Sequence, residues 1–520
     1  MPLLDAHLLT RLTDEFRLST RRLLQDLCGE LQADYSALAA RLRLPIGLFE
    51  MLNRTLKVEA YSNWKGVGWI ETLNDLVYFL DILQQWGREP HRREFTDQLF
   101  AECRKKFFEH GYSNDLFPSG RPSVQGFEKR LTQLCEGLAS EVTQEALFFN
   151  PALAVQWHRQ SGCNQWEIPG TLDADFERAH VAGAISIGTG DEWLEAPQDI
   201  RRAMKPLSGR AMFLVETDGI RVKVGRGTVS LWTGMEQGKW CWKLCREAVA
   251  LEMVRGPVTV GPTLVYGKDR EPKTVVSTEQ PHVERIAQSW RTIQAAWPDG
   301  HAILELLTSR IVPLRATGVV SFSYRHRPGL SFINCFDRDN LDLIDDLIHE
   351  NSHHHLNLLL RKYVLYHGDH NQQIFYSPWR RSLRPLRGIL HATFTFTMGA
   401  MLFARLSSWA SARGGTTQWR KAGLTQLDLQ RAKCRCLEEV ESVRYSLQDL
   451  HYADRHLGWL TASGRRLVNE LKEAIDQVEH DIEPFKSDVL RSKFGPDLRR
   501  HIAKLKKARM DYGPMRLREA

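Results

Sequence analysis

The sequence lacks the features that would assign it to a secreted or a membrane-spanning class. Its nine cysteines are an odd number in 520 residues and follow no regular spacing, which indicates a reducing compartment instead of a disulfide scaffold. The first residues show no basic segment followed by an apolar stretch, so we expect no signal peptide. The most apolar run, residues 390–406, is interrupted by His391 and Arg405 and falls short of the about 20 apolar residues of a membrane span.

The charge is nearly balanced, which does not favour a nucleic-acid-binding protein. There are 70 Lys and Arg against 63 Asp and Glu, so the net charge is +7. This value is mild for the length and does not favour a nucleic-acid partner. Hydrophobic residues make up 42% and charged residues 26%, as in soluble chains that bury a large core. We expect a cytoplasmic protein without membrane association, built from several domains of roughly 150 residues each.

Hydrophobic periodicity divides the chain into three parts. Residues 1–175 are predicted to be mostly helical because apolar residues recur every three or four positions. Residues 180–275 contain short β-branched runs punctuated by glycine, which are typical of strands. This β-rich insert is a candidate for peptide recognition. Residues 280–520 return to helical periodicity and end in a basic tail, which we interpret as a solvated helix face. The predicted fold class is mainly α with a smaller β-rich insert (α+β).

Motifs for nucleotide binding are incomplete, and one pair of cysteines needs an interpretation. Gly238 and Lys239 lack the earlier glycine and the following Ser or Thr of a phosphate-binding loop. Cys241 and Cys245 are four residues apart and have no second thiol pair nearby. We therefore interpret the segment WCWKLCREAVALEMV as a buried helix and not as a metal site.

The motif that carries chemistry is an HExxH, formed by His349, Glu350 and His353. Asp339 or Asn340 can cap a helix that begins just before it, and the apolar residues that follow repeat with helical spacing. Histidines four residues apart lie one turn apart on one face, so both imidazoles can bind one metal ion. Glu350 is expected to point toward the open side of this site. The sequence thus predicts a helical metal-binding C-terminal domain.

A third metal ligand is required, and the sequence leaves its identity open. His354 and His355 continue the run, but they lie at other angles on the helix, so we expect them to support the ligands or to face solvent. A thermolysin-type peptidase uses a glutamate on a following helix, and no glutamate occurs between Glu350 and Glu438. The metzincin extension, a glycine and a third histidine at fixed spacing, is also missing. The downstream candidates are His367, Asp369, His370 and His391.

A tract rich in arginine and aromatic residues precedes His391. It reads YSPWRRSLRP and contains Arg380, Arg381 and Arg384. Arginine binds carboxylates through two parallel hydrogen bonds. We interpret this tract as a carboxylate clamp beside the metal, with a surface loop held by ion pairs as the alternative.

Three segments together resemble a known family. They are SFSYRHRPGLSFINC, LIDDLIHENSHHHLNLLL and YSPWRRSLRPLRGILHATF, in this order and spacing. They are similar to the 2-oxoglutarate-dependent HExxH-type peptide β-hydroxylases, bacterial proteins that occur with ribosomally made, modified peptides. The resemblance covers about residues 280–410, a quarter of the chain. The combination of HExxH with SPWR, RP and LH is more specific than HExxH alone.

The resemblance implies an activity and a set of ligands. It implies Fe(II) bound by His349, His353 and a later histidine that matches His391. 2-Oxoglutarate would be the cosubstrate, with Arg380 or Arg384 holding its distal carboxylate; the resemblance does not fix the exact arginine, and Arg381 and Arg387 are the alternatives. The expected reaction is hydroxylation of a Cβ in a peptide, most simply a ribosomally synthesised precursor peptide. The helical N-terminal region and the β-rich insert would then recognise this peptide.

Two other functions fit the same motif. In a zinc-dependent metallopeptidase or hydrolase, His349 and His353 would bind the metal and Glu350 would activate water as a general base. In a non-catalytic binding protein, the metal would only brace the core. The second alternative is disfavoured because structural zinc sites usually include cysteine ligands, and Cys335 has no neighbouring thiol.

Overall fold

Helices predominate in this protein, and small sheets accompany them. The structure, a computed structural model, describes residues 3–56, 58–88, 124–144, 280–314, 318, 320–368, 370–412 and 414–513, with the backbone of strands between 165 and 260. The predicted class, mainly α with smaller β-rich parts, is confirmed at this level.

The N-terminal region is helical as predicted. Its elements are α1 (Ala6–Asp34), α2 (Ser36–Arg41), α3 (Ile46–Thr55), a 3-10 turn (Val58–Ser62), α4 (Trp64–Arg88) and α5 (Val124–Gln144). The Asp5 side chain caps α1 by accepting a 2.9 Å hydrogen bond from the backbone N–H of Leu8. Leu9 and Leu12 of α1 are buried in the same core as the C-terminal helices. The N-terminal region therefore packs directly on the HExxH domain.

The middle of the chain contains antiparallel strands. They are β1 (Gln165–Leu172), β2 (Trp193–Leu194), β3 (Gly209–Glu216), β4 (Gly219–Val224), β5 (Gly227–Glu236), β6 (Lys239–Leu244), β7 (Glu247–Ala250), β8 (Met253–Val254) and β9 (Thr259–Val260). One sheet has the order β1-β3-β4-β5-β6-β7. The strand predicted over residues 184–190 lies outside the described residues.

One sequence prediction fails in this region. Strand β1 lies near the end of residues 1–175, which were predicted to be mostly helical, and pairs antiparallel with β3. Cys241 lies in β6 opposite Ala250 of β7, so the helix predicted around it is wrong, while Cys245 lies outside the described residues. A two-residue connection between β5 and β6 favours a hairpin. Local apolar spacing does not register such a long-range pairing.

The C-terminal region carries the main helical core. Its helices are α6 (Gln280–Ala296), α7 (Pro298–Leu307), α8 (Asn340–Lys362), α9 (Leu386–Ser411), α10 (Gly415–Lys421), α11 (Gln426–Arg455), α12 (Ala462–Arg491) and α13 (Gly495–Tyr512). Its strands are β10 (Arg310–Leu314), β11 (Phe322–Ser323), β12 (Leu330–Asn334), β13 (Phe375–Ser377) and β14 (Ser382–Arg384). The basic tail is helical through α13, and residues 514–520 lie outside the described part.

A small sheet covers one side of α8. Its strand order is β11-β12-β10-β9. Strands β9, β10 and β12 are parallel, and β11 pairs antiparallel with β12 at the edge. The helical prediction for residues 280–520 omits this sheet, whose last strand, β9, comes from the β-rich insert. Every residue of β10 and β12 is buried, so these strands lack the alternation that marks a strand in sequence.

Helix α9 occupies the centre of the core between α8, α11 and α12. Among the described residues it is the one helix long and apolar enough to span a membrane, and 72% of its most apolar window is buried inside the fold. Its buried face includes Leu390, Phe394 and Met398. The apolar composition of α9 is therefore explained by its packing.

Candidate metal centre

Helix α8 is fixed at both ends before it presents its histidines. Asp339 caps it, accepting from the backbone N–H of Asp342, whose side chain accepts from Asp339 N–H. This reciprocal capping satisfies two backbone donors and confirms the predicted helix start. Arg435 of α11 forms ion pairs with Asp342 (3.3 Å) and Asp345 (2.5 Å). The amide of Asn351 donates to Thr308 (3.0 Å) just after α7. The helix is thus held from three sides.

Three imidazoles approach one another between α8 and α9. Ligand atoms of His349, Glu350 and His353 all lie within 4.8 Å of one another, and the ring centroids of His349 and His353 are 5.0 Å apart. His391 of α9 faces the same space, with its ring centroid 6.3 Å from that of His353. All three histidines are half-buried. The structure therefore brings His349 and His353 together with Glu350, and it places His391 on α9 opposite His353.

The three histidines are prepared to act as metal ligands by their environment. Burial lowers the pKa of His349 and lowers that of His353 well below its usual value, with nearby positive charges adding to both effects. Burial also lowers the pKa of His391 to about 4, and Arg387 and Arg325 contribute. Neutral imidazole is the form that binds a metal ion. Within the described residues, none of the three rings has a hydrogen-bond partner.

Glu350 lies beside the two histidines and is covered by strand β11. It is buried, with 3% of its surface exposed, and does not point toward open solvent. Its carboxyl accepts a 2.7 Å hydrogen bond from Ser323 Oγ on β11. Burial raises the pKa of Glu350 to about 8, while the Ser323 bond opposes the shift. Ser321, two residues earlier, donates to Asp346 (2.6 Å). Ser321 and Ser323, two residues apart, therefore contact Asp346 and Glu350, which lie one turn apart on α8.

His354 and His355 are structural. Both are almost completely buried, so the expectation that they could face solvent is wrong. His354 Nδ1 accepts from Gly329 N–H (3.3 Å), and its Nε2 lies 3.1 Å from Ser331 Oγ. Because Nδ1 accepts, the neutral ring carries its proton on Nε2 and donates to Ser331. His355 packs edge-on against Phe394. These two rings therefore fasten α8 to β12 and α9.

Gly329 is required for the contact with His354. Its φ is +81°, in the left-handed region, where glycine carries no steric penalty. A Cβ atom there would also lie 2.8 Å from Ser309 Oγ. The turn before β12 consequently presents a backbone N–H to His354 that a larger residue would displace.

An aromatic wall borders His349 and was not predicted. The Trp379 ring stacks on Phe396 with centroids 4.3 Å apart and planes 5° apart. Phe396 in turn contacts His349 edge-on at 5.1 Å. Trp379 Nε1 donates to the buried carboxyl of Glu439 on α11 (2.9 Å), which fixes the ring. This arrangement connects the SPWR segment to the first metal ligand.

Four exposed arginines lie in the segments that adjoin the three histidines, with no side-chain partner among the described residues. The charge of Arg380, in the turn between β13 and β14, contributes to lowering the pKa of both His349 and His353. Arg384 lies along the start of α9, beside Gly388. Arg387 and Arg325 lie near His391. All four are exposed, and none of their guanidinium groups has a hydrogen bond or ion pair within the described residues.

Other residues considered from sequence lie away from this centre. Arg381 has a φ of +52°, and its charge acts on Tyr376 and His501, so it faces α13. His370 Nδ1 lies 2.9 Å from the Gly368 carbonyl, while His367 is exposed. Asp369 lies outside the described residues. Among the downstream histidines, His391 is the one that faces His353.

Sequence reasoning missed Ser323, Trp379, Phe396 and Glu439 as contributors to this site. Ser323 could have been found from the SxS repeat that matches the Asp346 and Glu350 spacing, but only once the sheet is known. Compared with known proteins, the chain matches no protein-family model and no curated protein. The residues of the site therefore carry the functional argument.

Proposed function

We propose that this protein is an Fe(II)- and 2-oxoglutarate-dependent oxygenase that hydroxylates a Cβ in a peptide. One observation carries the proposal: His349 and His353 lie together, His391 faces His353, and arginines with no ion pair among the described residues lie near these rings. A metal centre alone would fit many functions. Cations that have no protein partner beside it favour an anionic cosubstrate such as a dicarboxylate.

The metal ligands in this proposal are His349, His353 and His391. Imidazole suits Fe(II), and three protein ligands leave adjacent positions for a cosubstrate and O2. His391 is preferred over Glu350 as the third ligand because its ring has no other partner, whereas the Glu350 carboxyl is already bound by Ser323. The role of Glu350 is then to hold β11 beside the cleft.

When bound, iron and 2-oxoglutarate supply oxidation: 2-oxoglutarate, O2 and a C–H bond become succinate, CO2 and a C–OH group. The residues of this chain bind and orient the reactants. Arg380 is the preferred partner of the distal carboxylate, because its charge reaches both His349 and His353. Arg384 is the alternative on the same hairpin. The Trp379 and Phe396 wall keeps the His349 ring in place and excludes water from that side.

A zinc hydrolase is the second candidate, and one observation favours it. The carboxylate of Glu350 lies within 4.8 Å of the ligand atoms of His349 and His353, a distance at which it could act on a metal-bound water. In this alternative the unpaired arginines would have no assigned task. Replacing Glu350 by Gln would abolish hydrolysis while leaving metal content unchanged.

The test compares two adjacent arginines. With Mn(II) as an inert substitute for iron, we expect Arg380→Ala to weaken 2-oxoglutarate binding about tenfold or more, as loss of a charge-assisted contact does. Arg381→Ala is the matched control and should bind normally, since its side chain faces α13. With Fe(II) and O2, peptides from a synthetic pool should gain one oxygen atom, detected by mass spectrometry. Unchanged 2-oxoglutarate binding in Arg380→Ala and Arg384→Ala would contradict the proposal.

A further inference from the structure

A cavity of about 350 Å³ opens between α1, the 3-10 turn, α7 and α8, and His354 is the histidine that lines it. Asn357 forms part of its lining and lies one helical turn after His353 on the same face of α8. Arg325 also lines the cavity and lies near His391. The cavity therefore lies on the β12 side of α8, and Asn357 and Arg325 are the lining residues nearest to the candidate metal centre.

The cavity contains three arginines, two of which are already compensated. Arg17 pairs with Asp14 at 2.9 Å and donates to Ser62 at 2.8 Å. Arg361 pairs with Glu71 at 3.0 Å. These two cations have the charge partners and hydrogen bonds that they need, so neither requires a ligand. The third arginine of the cavity, Arg325, differs in this respect.

The guanidinium of Arg325 is exposed and has no hydrogen bond or ion pair within the described part of the chain. Arg387, also unpaired there, lies on α9 one turn before His391 and on the same face. Both cations are therefore on the His391 side of the cleft. Arg380, which the proposed function assigns to 2-oxoglutarate, lies instead on the hairpin formed by β13 and β14. The distal carboxylate of 2-oxoglutarate is assigned to Arg380, so the cosubstrate provides no anion for Arg325 and Arg387.

We infer that Arg325, together with Arg387, binds the carboxylate of a single acidic residue in the peptide substrate, and that the cavity holds the neighbouring side chain. This inference rests on the proposed function for the identity of the substrate as a peptide. Guanidinium groups recognise a carboxylate through paired hydrogen bonds. Phe16, Leu307 and Leu358 give the cavity an apolar wall, so the neighbouring residue is apolar.

The cavity also limits the number of acidic residues. Glu59 and Glu305, both exposed, belong to its lining. They would repel a second carboxylate, because like charges at short distance are unfavourable. The favoured sequence therefore has one acidic residue beside an apolar residue, and a run of acidic residues is disfavoured.

The inference is tested by a binding selection that requires no turnover. The full-length protein, loaded with Zn(II) and 2-oxoglutarate and immobilised, would capture peptides from a randomised display library. We expect the captured peptides to contain one Asp or Glu next to an apolar residue. The variant Arg325→Glu should bind these peptides at least about tenfold more weakly. It should instead select peptides with Lys or Arg at that position. Glu59→Gln together with Glu305→Gln should admit a second acidic residue.

Arg466→Glu is the matched control, because Arg466 is an exposed arginine of α12 that does not line the cavity. It should select the same peptides as the unchanged protein. A selection without an acidic preference, an empty selection, or a preference that survives in Arg325→Glu would overturn the inference. The proposed function is judged separately by hydroxylation and by 2-oxoglutarate binding, so either idea can fail without the other.

Discussion

Two faces of helix α8 carry histidines with opposite properties. On the face toward α9, His349 and His353 are half-buried, have no hydrogen-bond partner in the described residues and lie near His391. His354, on the face toward β12, and His355, which packs against Phe394 of α9, are almost fully buried. His354 uses both ring nitrogens in hydrogen bonds. Adjacent residues in one run of histidines therefore have separate tasks.

The comparison separates His354, whose two ring nitrogens are both hydrogen-bonded, from the proposed ligands. His355 is held by packing, and its buried Nδ1 has no hydrogen-bond partner among the described residues. A buried polar group without a partner is costly, so a histidine that serves the fold acquires hydrogen bonds or packing. A histidine that serves a metal keeps an accessible lone pair. His349, His353 and His391 meet the second description, so the proposed metal site lies on the α9 side of α8.

The largest expected effect is on metal affinity. His353→Ala removes one of three proposed ligands and should weaken metal binding by on the order of a hundredfold or more. His354→Ala changes the neighbouring residue but should keep one metal ion per chain. Metal content after dialysis, measured by atomic spectroscopy, checks both variants. Equal losses of metal in the two variants would contradict the distinction between His353 and His354.

The next effect is on the free energy of unfolding, which His354→Ala should lower more than His353→Ala does. His354→Ala leaves the Gly329 N–H and the Ser331 hydroxyl without their partner and creates a small cavity, which should cost about 2–4 kcal/mol. His353→Ala, measured without metal, should cost less because its ring has no hydrogen bond to lose. Urea unfolding followed by circular dichroism measures both values.

A smaller effect is expected where β11 meets α8. Ser323→Ala removes the hydrogen bond to Glu350 and should lower the free energy of unfolding by about 1–2 kcal/mol. Metal content should remain unchanged if Glu350 is a support and not a ligand. Ser321→Ala, which loses the contact with Asp346 instead, is the matched control. Loss of metal in Ser323→Ala alone would assign Glu350 to the metal.

A pH-dependent effect concerns Glu439, the second buried glutamate near the site. Burial raises its pKa to about 8, so the folded state holds a proton that the unfolded state releases near pH 4.5. Glu439 therefore contributes stability that is full below pH 4.5 and lost as the pH rises through about 8. Glu439→Gln should remove this slope, which is at most about 1.4 kcal/mol per pH unit. Urea unfolding of both proteins at several pH values between 5 and 9 measures it; parallel curves would contradict the assignment.

The sequence was sufficient for features set by local spacing. The start of α8 at Asp339 and the shared face of His349 and His353 follow from capping and helical periodicity, and both are found. The exposure of Glu350 could not be predicted because it depends on β11, which reaches α8 only after pairing with β12. The contact between Trp379 and Glu439 joins residues 60 positions apart, beyond any local pattern. His391 was placed by resemblance, and the structure shows it facing His353.

The most direct test of the account is the visible spectrum of the protein with Fe(II) and 2-oxoglutarate in the absence of oxygen. A charge-transfer band that needs both additions would show that 2-oxoglutarate chelates iron at this centre. The account predicts that the band is present in the unchanged protein and in His354→Gln, a milder change that keeps a hydrogen-bonding side chain, and is lost in His391→Ala. A protein that shows no band and retains zinc undisturbed by 2-oxoglutarate would contradict the account.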